Sequence, residues 1–205
     1  MRDFWQKVET LRWDDSRFYH QCRINQTLHL VSAISFVVAY ALMFVDPAVA
    51  ALVGWLVGML TRQSGHIFFE PRGFDPIYGV SYAHKESIKV GYNMRRKSVL
   101  IAVWLSLPAL LFVSPSLLGL IEPGTGWKGH VHDVGLGWLA LGIGGLLFRT
   151  VHLFFLRGPV WGLAWATKIV TDPFHNIVIY WNSPLALIHG QRFDPMDTDP
   201  QSAQS

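Results

Sequence analysis

Three apolar runs constrain this chain more than any other feature: Leu28 to Val45, Val99 to Ile121 and Val134 to Leu156. A helix of about 20 apolar residues matches a hydrocarbon layer of roughly 30 Å, and a domain of this size has too little polar chain to bury three of them in water. A fourth run, Ala48 to Leu60, is shorter but continues as an apolar surface through Ile67, Phe68 and Phe69. The sequence therefore predicts an all-α polytopic membrane protein with four transmembrane helices, at 28–45, 48–69, 99–121 and 134–156. Residues 1–193 are expected to form one integral membrane domain, followed by a disordered polar tail over 194–205. Composition agrees, since 51% of the 205 residues are hydrophobic and only 15% carry charge.

Orientation follows from the basic residues. Arg2, Lys7, Arg12, Arg17 and Arg23 precede the first span, and the turn at Asp46-Pro47 has none. Arg62, Arg72, Lys85, Lys89, Arg95, Arg96 and Lys97 lie between the second and third spans. The next loop, Glu122 to Asp133, holds only Lys128, whereas Arg157, Lys168 and Arg192 follow the fourth span. Both termini are expected in the cytoplasm, in a bacterial inner membrane or a eukaryotic endoplasmic reticulum. The charged N-terminus has no apolar core of its own, so it does not read as a cleavable signal peptide. The single Cys22 excludes an internal disulfide. No phosphate-binding glycine loop, cysteine pair or nucleophile elbow occurs, and the basic pI needs no nucleic acid to explain it.

Seven of the nine histidines fall on the cytoplasmic side of this topology, leaving only His130 and His132 outside. Counting a rise of about 1.5 Å per residue, His29 lies roughly 25 Å inward of the outer turn, and His66 and His152 roughly 28 Å inward. His20, His84, His175 and His189 sit in cytoplasmic segments, and Arg149 is one turn deeper than His152. A single interfacial histidine is ordinarily a solvated side chain; several on one plane beside carboxylates point to a metal site.

Four constellations carry this reading. Asn25 and His29 are four apart, so the amide can orient the imidazole. His20 and His29 are nine apart, on opposite sides of a straight helix, and share a metal only if the chain bends near Gln21 to Ile24. His66 and Glu70 are again at ligand spacing, with Pro71 ending the helix and Gly65 allowing a close helix approach. His84 belongs to a basic segment that reaches the site only by folding over as a cap on the cytoplasmic side. Gly158 to Val170 is Trp-rich but short, suiting an interfacial or re-entrant helix that returns His175 to the same face.

Together, Tyr19-His20, Asn25 and His29, then Gly65-His66 and Phe69-Glu70, resemble the 2-hydroxy fatty acid dioxygenase family of fatty-acid α-oxidation. The resemblance covers about residues 18–72, and Pro71-Arg72-Gly73 stands where that family carries a basic-Pro-Ala run. It implies an iron(II)-dependent membrane oxidoreductase, a dioxygenase that uses dioxygen to shorten 2-hydroxy fatty acids by one carbon. His20, His29 and His66 match as metal ligands and Glu70 and Asn25 match as the catalytic set; from the residues themselves, one or more of Glu70, His84, His152 and His175 are expected to complete the ligands. Arg72 or Arg149 is the expected partner of the substrate carboxylate. The alternatives are a di-iron lipid hydroxylase or desaturase, whose His-x-x-His-His motifs are missing here, and a non-enzymatic membrane scaffold or lipid-binding protein using Arg95-Arg96-Lys97.

Overall fold

A computed structural model describes residues 2–76, 78–90 and 94–194. Helix α1 (Arg2–Tyr19) leads into α2 (Arg23–Leu42) across a short break. Asp46 then caps α3 (Pro47–Val53), its carboxylate accepting from the amides of Ala48 and Val49, with Pro47 preset for the first turn. The helical path continues through a π-helical stretch (Gly54–Met59), α4 (Leu60–Ser64) and a second π-helical stretch (Gly65–Phe69). It stops at Glu70, whose backbone is extended before Pro71. Helices α5 (Tyr82–Ile88), α6 (Met94–Val113), α7 (Gly126–Arg157), α8 (Pro159–Tyr180) and α9 (Ser183–Ile188) complete the fold. Among the described residues there is no strand, only isolated bridges at Cys22–Phe193 and Asp75–Val80.

Three helices, α2, α6 and α7, are long and apolar enough to cross a membrane. They differ in what surrounds them. Within its apolar window α2 is 44% buried by the protein, against 17% for α6 and for α7. Helix α2 is thus the central one, touching α8, α9, α3 and the path through residue 69. Helices α6 and α7 turn Leu105, Leu110, Phe112, Leu147, Phe148 and Phe155 outward. An apolar surface of that extent is unfavourable in water and suits lipid.

Several boundaries differ from the sequence expectation. Helix α6 ends at Val113 rather than Ile121, because Pro115 and the left-handed Leu117 and Leu118 turn the chain. Helix α7 starts at Gly126 rather than Val134, which makes His130 and His132 helical. The expected piece over Gly158 to Val170 runs on through Pro173 to Tyr180. The charged N-terminus is itself a helix, since Val8 and Leu11 repeat at helical spacing and pack on Leu153, Ala164 and Trp165. Of the expected tail, Asp194 is half-buried and bonded, and residues 195–205 lie outside the described residues.

Indole groups fasten the far end of the bundle. Trp55 Nε1 donates to the Trp138 carbonyl (2.9 Å), and Trp138 Nε1 donates to the Trp104 carbonyl (3.0 Å). Buried indole N–H groups usually find such acceptors, although Trp104 Nε1 in the same cluster has none among the described residues. Gly135 lets α7 lie against α3, because a Cβ there would stand 2.6 Å from the Ala48 carbonyl oxygen. Gly144 on the same helix has nothing within 4 Å of that position. Gly135→Ala is therefore expected to cost about 1–3 kcal/mol in thermal unfolding of the detergent-solubilised protein. Gly144→Ala should keep or slightly raise the midpoint, since alanine favours a helix interior, and equal losses in the two would contradict this packing.

Candidate metal centre

The break between α1 and α2 decides where His20 points. Asn25 Nδ2 donates back to the Tyr19 carbonyl (2.7 Å), and Gln26 Nε2 donates to the His20 carbonyl (2.8 Å). Each amide thus reaches six residues back around the bend and satisfies a carbonyl that the helix has abandoned. The C-terminal segment secures the same bend: Arg23 N donates to the Arg192 carbonyl (2.9 Å) and Asp194 N to the Gln21 carbonyl (2.8 Å). The Asp194 carboxylate accepts from Gln26 and pairs with Arg23, both at 3.0 Å. The bend demanded by the nine-residue spacing exists, and at the expected place.

His29 extends from α2 toward it, and the second π-helical stretch brings in His66. Gly65 makes that approach possible: a Cβ would stand 2.1 Å from Asn25 Oδ1. The three rings lie with centroids 4.0 Å (His20–His29), 4.9 Å (His29–His66) and 5.3 Å (His20–His66) apart. All three are 3% exposed or less. One nitrogen from each ring lies within 4.8 Å of the other two, so this group could hold a metal ion. Three atoms so placed share a point no more than about 2.8 Å from each, and metal–nitrogen bonds of roughly 2.0–2.2 Å need only small ring adjustments.

The outer ring nitrogens are already engaged. Tyr180 Oη bonds His20 Nδ1 (2.9 Å), and His66 Nδ1 bonds Glu70 Oε2 (2.6 Å). An ionised carboxylate only accepts, which puts the His66 proton on Nδ1 and its lone pair on Nε2. Burial raises the Glu70 pKa, while Lys89 and Lys97 pull it back toward the ionised form. Burial also lowers His20 to about 3, with Asp15 opposing and Arg62 and Lys168 reinforcing. The His20 ring is therefore a neutral donor at physiological pH. His20 Nε2 and both nitrogens of His29 are buried without a hydrogen-bond partner. Such orphans cost about 1–3 kcal/mol each, and a cation bound by these lone pairs offsets that cost. The donor set fits a divalent transition metal.

The other expected site residues fall elsewhere. His84 is exposed on α5, because that short helix turns Lys85 inward to pair with Asp75 (2.7 Å). His152 is half-buried on α7, bonded to Arg149 (3.1 Å), and His175 is half-buried beside the inward row of α8. None of the three joins the group, although each shares its side of the chain in sequence terms. Glu70 orients His66 instead of standing in the triad. Asn25 holds the bend rather than a ring. Arg72 is exposed, donating to the Ile67 carbonyl (2.5 Å), and Arg149 is committed to the Val90 carbonyl and His152.

Two groups of residues escaped the sequence reading. One is Tyr180. The other is an ion network in which Lys168 pairs with Asp15 (2.9 Å) and Asp172 (2.6 Å), while Arg12 (3.8 Å) and Arg62 (3.6 Å) approach the same Asp172. A signal existed: Lys168, Asp172, Asn176 and Tyr180 recur every four residues along a largely apolar helix, and all are buried. Ionisable groups on such a face are rarely idle.

Removing an orienting partner of a metal-bound imidazole typically costs 10–100-fold in affinity. We therefore expect Tyr180→Phe and Glu70→Gln each to weaken metal binding by roughly that factor in chelator competition. His84→Ala, His152→Ala and His175→Ala should retain wild-type metal content by elemental analysis. Retention of full affinity by both orienting variants would contradict the centre described. Comparison with protein-family models, with curated proteins and with solved structures gives no match, so the assignment of this centre rests on its geometry.

Proposed function

We propose that this protein is a membrane-embedded iron(II) oxygenase acting on a fatty acyl substrate, and that its reaction is the oxidative shortening of a 2-hydroxy fatty acid by one carbon. The observation that carries the reading is the buried triad of His20, His29 and His66, with lone pairs converging and the far sides of two rings already fixed. In the proposed arrangement the path 47–69 is a second span, giving four in all, with both termini cytoplasmic. The segment bearing α5 closes over the centre: Tyr19 Oη donates to the Lys85 carbonyl (2.7 Å), and Lys89 pairs with Glu70 (3.4 Å) and Glu86 (3.1 Å).

Iron(II), if held by the imidazoles of His20, His29 and His66, would supply the dioxygen chemistry of this reaction. The protein's own residues do the rest. Glu70 and Tyr180 hold two imidazoles in the ligating tautomer. Tyr19, Glu70 and Lys89 screen the centre from water, and the half of the molecule with the lipid-suited surface leaves the acyl tail in the bilayer.

A second reading has its own observation. The three rings are almost completely buried, as in closed structural sites, and zinc accepts the same donors. In that reading the ion only clamps α2 to the α1 end and the second π-helical stretch. The two separate cleanly in one experiment. Protein purified in lipid nanodiscs is analysed for metal, and oxygen uptake is followed with 2-hydroxyhexadecanoic and hexadecanoic acids. The oxygenase reading expects stoichiometric iron, uptake only with the hydroxy acid, and loss of both iron and uptake in His66→Ala. Bound zinc with no uptake, together with unfolding on chelation, would replace it with the clamp.

A further inference from the structure

Resting on that reading, we infer that Arg62 is the group that binds the carboxylate of the acyl substrate beside the histidine triad. Arg62 sits on α4, four residues before His66 in one continuous helical path. Its side chain is only 17% exposed, yet among the described residues it makes no hydrogen bond. Its one ionic partner is Asp172 at 3.6 Å, beyond hydrogen-bond range, and that carboxylate already accepts from Lys168 at 2.6 Å. The donor fork is therefore unspent and still reachable, and a planar carboxylate is the ligand whose two oxygens match it.

Charge balance points the same way. The network holds Arg12, Arg62 and Lys168 against Asp15 and Asp172, leaving one positive unit uncompensated. An added monoanion neutralises it; a neutral lipid does not. The two arginines favoured from sequence lack this freedom. Arg149 spends Nε and Nη2 on the Val90 carbonyl and Nη1 on His152, and Arg72 is exposed on a backbone carbonyl. Arg62 instead offers one end of a two-point grip, with the triad at the other: the carboxylate on the guanidinium, the adjacent hydroxyl carbon toward the rings.

The test is equilibrium binding by calorimetry to the full-length protein in nanodiscs, comparing 2-hydroxyhexadecanoate with hexadecane-1,2-diol, which has the same chain and no charge. Arg62→Gln is expected to weaken the acid by roughly 10- to 100-fold, the range of a lost charge-assisted pair, and to leave the diol unchanged. Arg62→Lys keeps the charge and the Asp172 pair but loses the fork, so it should fall between. It also decides the question if Arg62→Gln unfolds. Acid affinity equal to wild type in Arg62→Lys and Arg62→Gln, or equal losses for acid and diol, would overturn the assignment. Metal content is measured on the same samples. Wild-type protein without metal but with Arg62-dependent preference for the acid would sink the oxygenase and keep the carboxylate site. Metal retained with no such preference would do the reverse.

Discussion

The cluster of His20, His29 and His66 forms because the chain bends between Tyr19 and Arg23. On a straight helix His20 and His29 would face opposite ways, nine residues and two and a half turns apart. The bend is held by polar side chains folding back on the carbonyls that the two helices leave unpaired, Asn25 on Tyr19 and Gln26 on His20. Ser183 and Asp194 then hold Gln26 from the other end of the chain. In a water-poor interior an unpaired carbonyl costs more than these bonds contribute in water, so the amides are committed to the bend. The first and last described segments of the chain are thereby brought to one place.

Polar burial is concentrated around this place. Glu70, Asp75, Lys85, Lys168 and Asp172 are all buried, on the middle of α8, on α5 or in the segment between the second π-helical stretch and α5. The opposite end relies on indoles and small residues, Trp55, Trp104, Trp138 and Gly135. Buried ion networks are a poor route to stability, because desolvation offsets most of the Coulomb gain. Their presence here is better explained by what they face. On the proposed function, this network with one positive unit to spare serves an anionic ligand next to the histidine cluster. The π-helical stretches serve the same end, shifting helical phase so that His66 and Gly65 both meet α2, as such stretches often do at functional sites.

How much of this was legible from sequence depends on the range of the interaction. The apolar runs announced α2, α6 and α7, and the nine-residue spacing of His20 and His29 announced a bend. The pairing of His66 with Glu70 was visible because it lies within one turn. Partners from distant segments were not: nothing near Tyr180 says it will meet His20, and nothing near Arg62 says it will meet Asp172. The phase of a short helix after an irregular loop is equally hidden, which is why His84 was expected inward where Lys85 is found. Helix α1 was obscured because, before Phe18 and Tyr19 at its end, Val8 and Leu11 mark its buried face among many charges. Depth counting alone gives no direction around α7, which is why His152 was expected at the metal and is instead bonded to Arg149.

The most direct measurement is X-ray absorption at the metal edge of protein purified from cells grown with iron. The account predicts scattering from nitrogen or oxygen neighbours near 2.0–2.2 Å, with the outer-shell features of about three imidazoles. Those features should fall by one imidazole in His29→Gln. A spectrum with no imidazole scattering, or one unchanged by that substitution, would show that the ring nitrogens of His20, His29 and His66 do not converge on an ion.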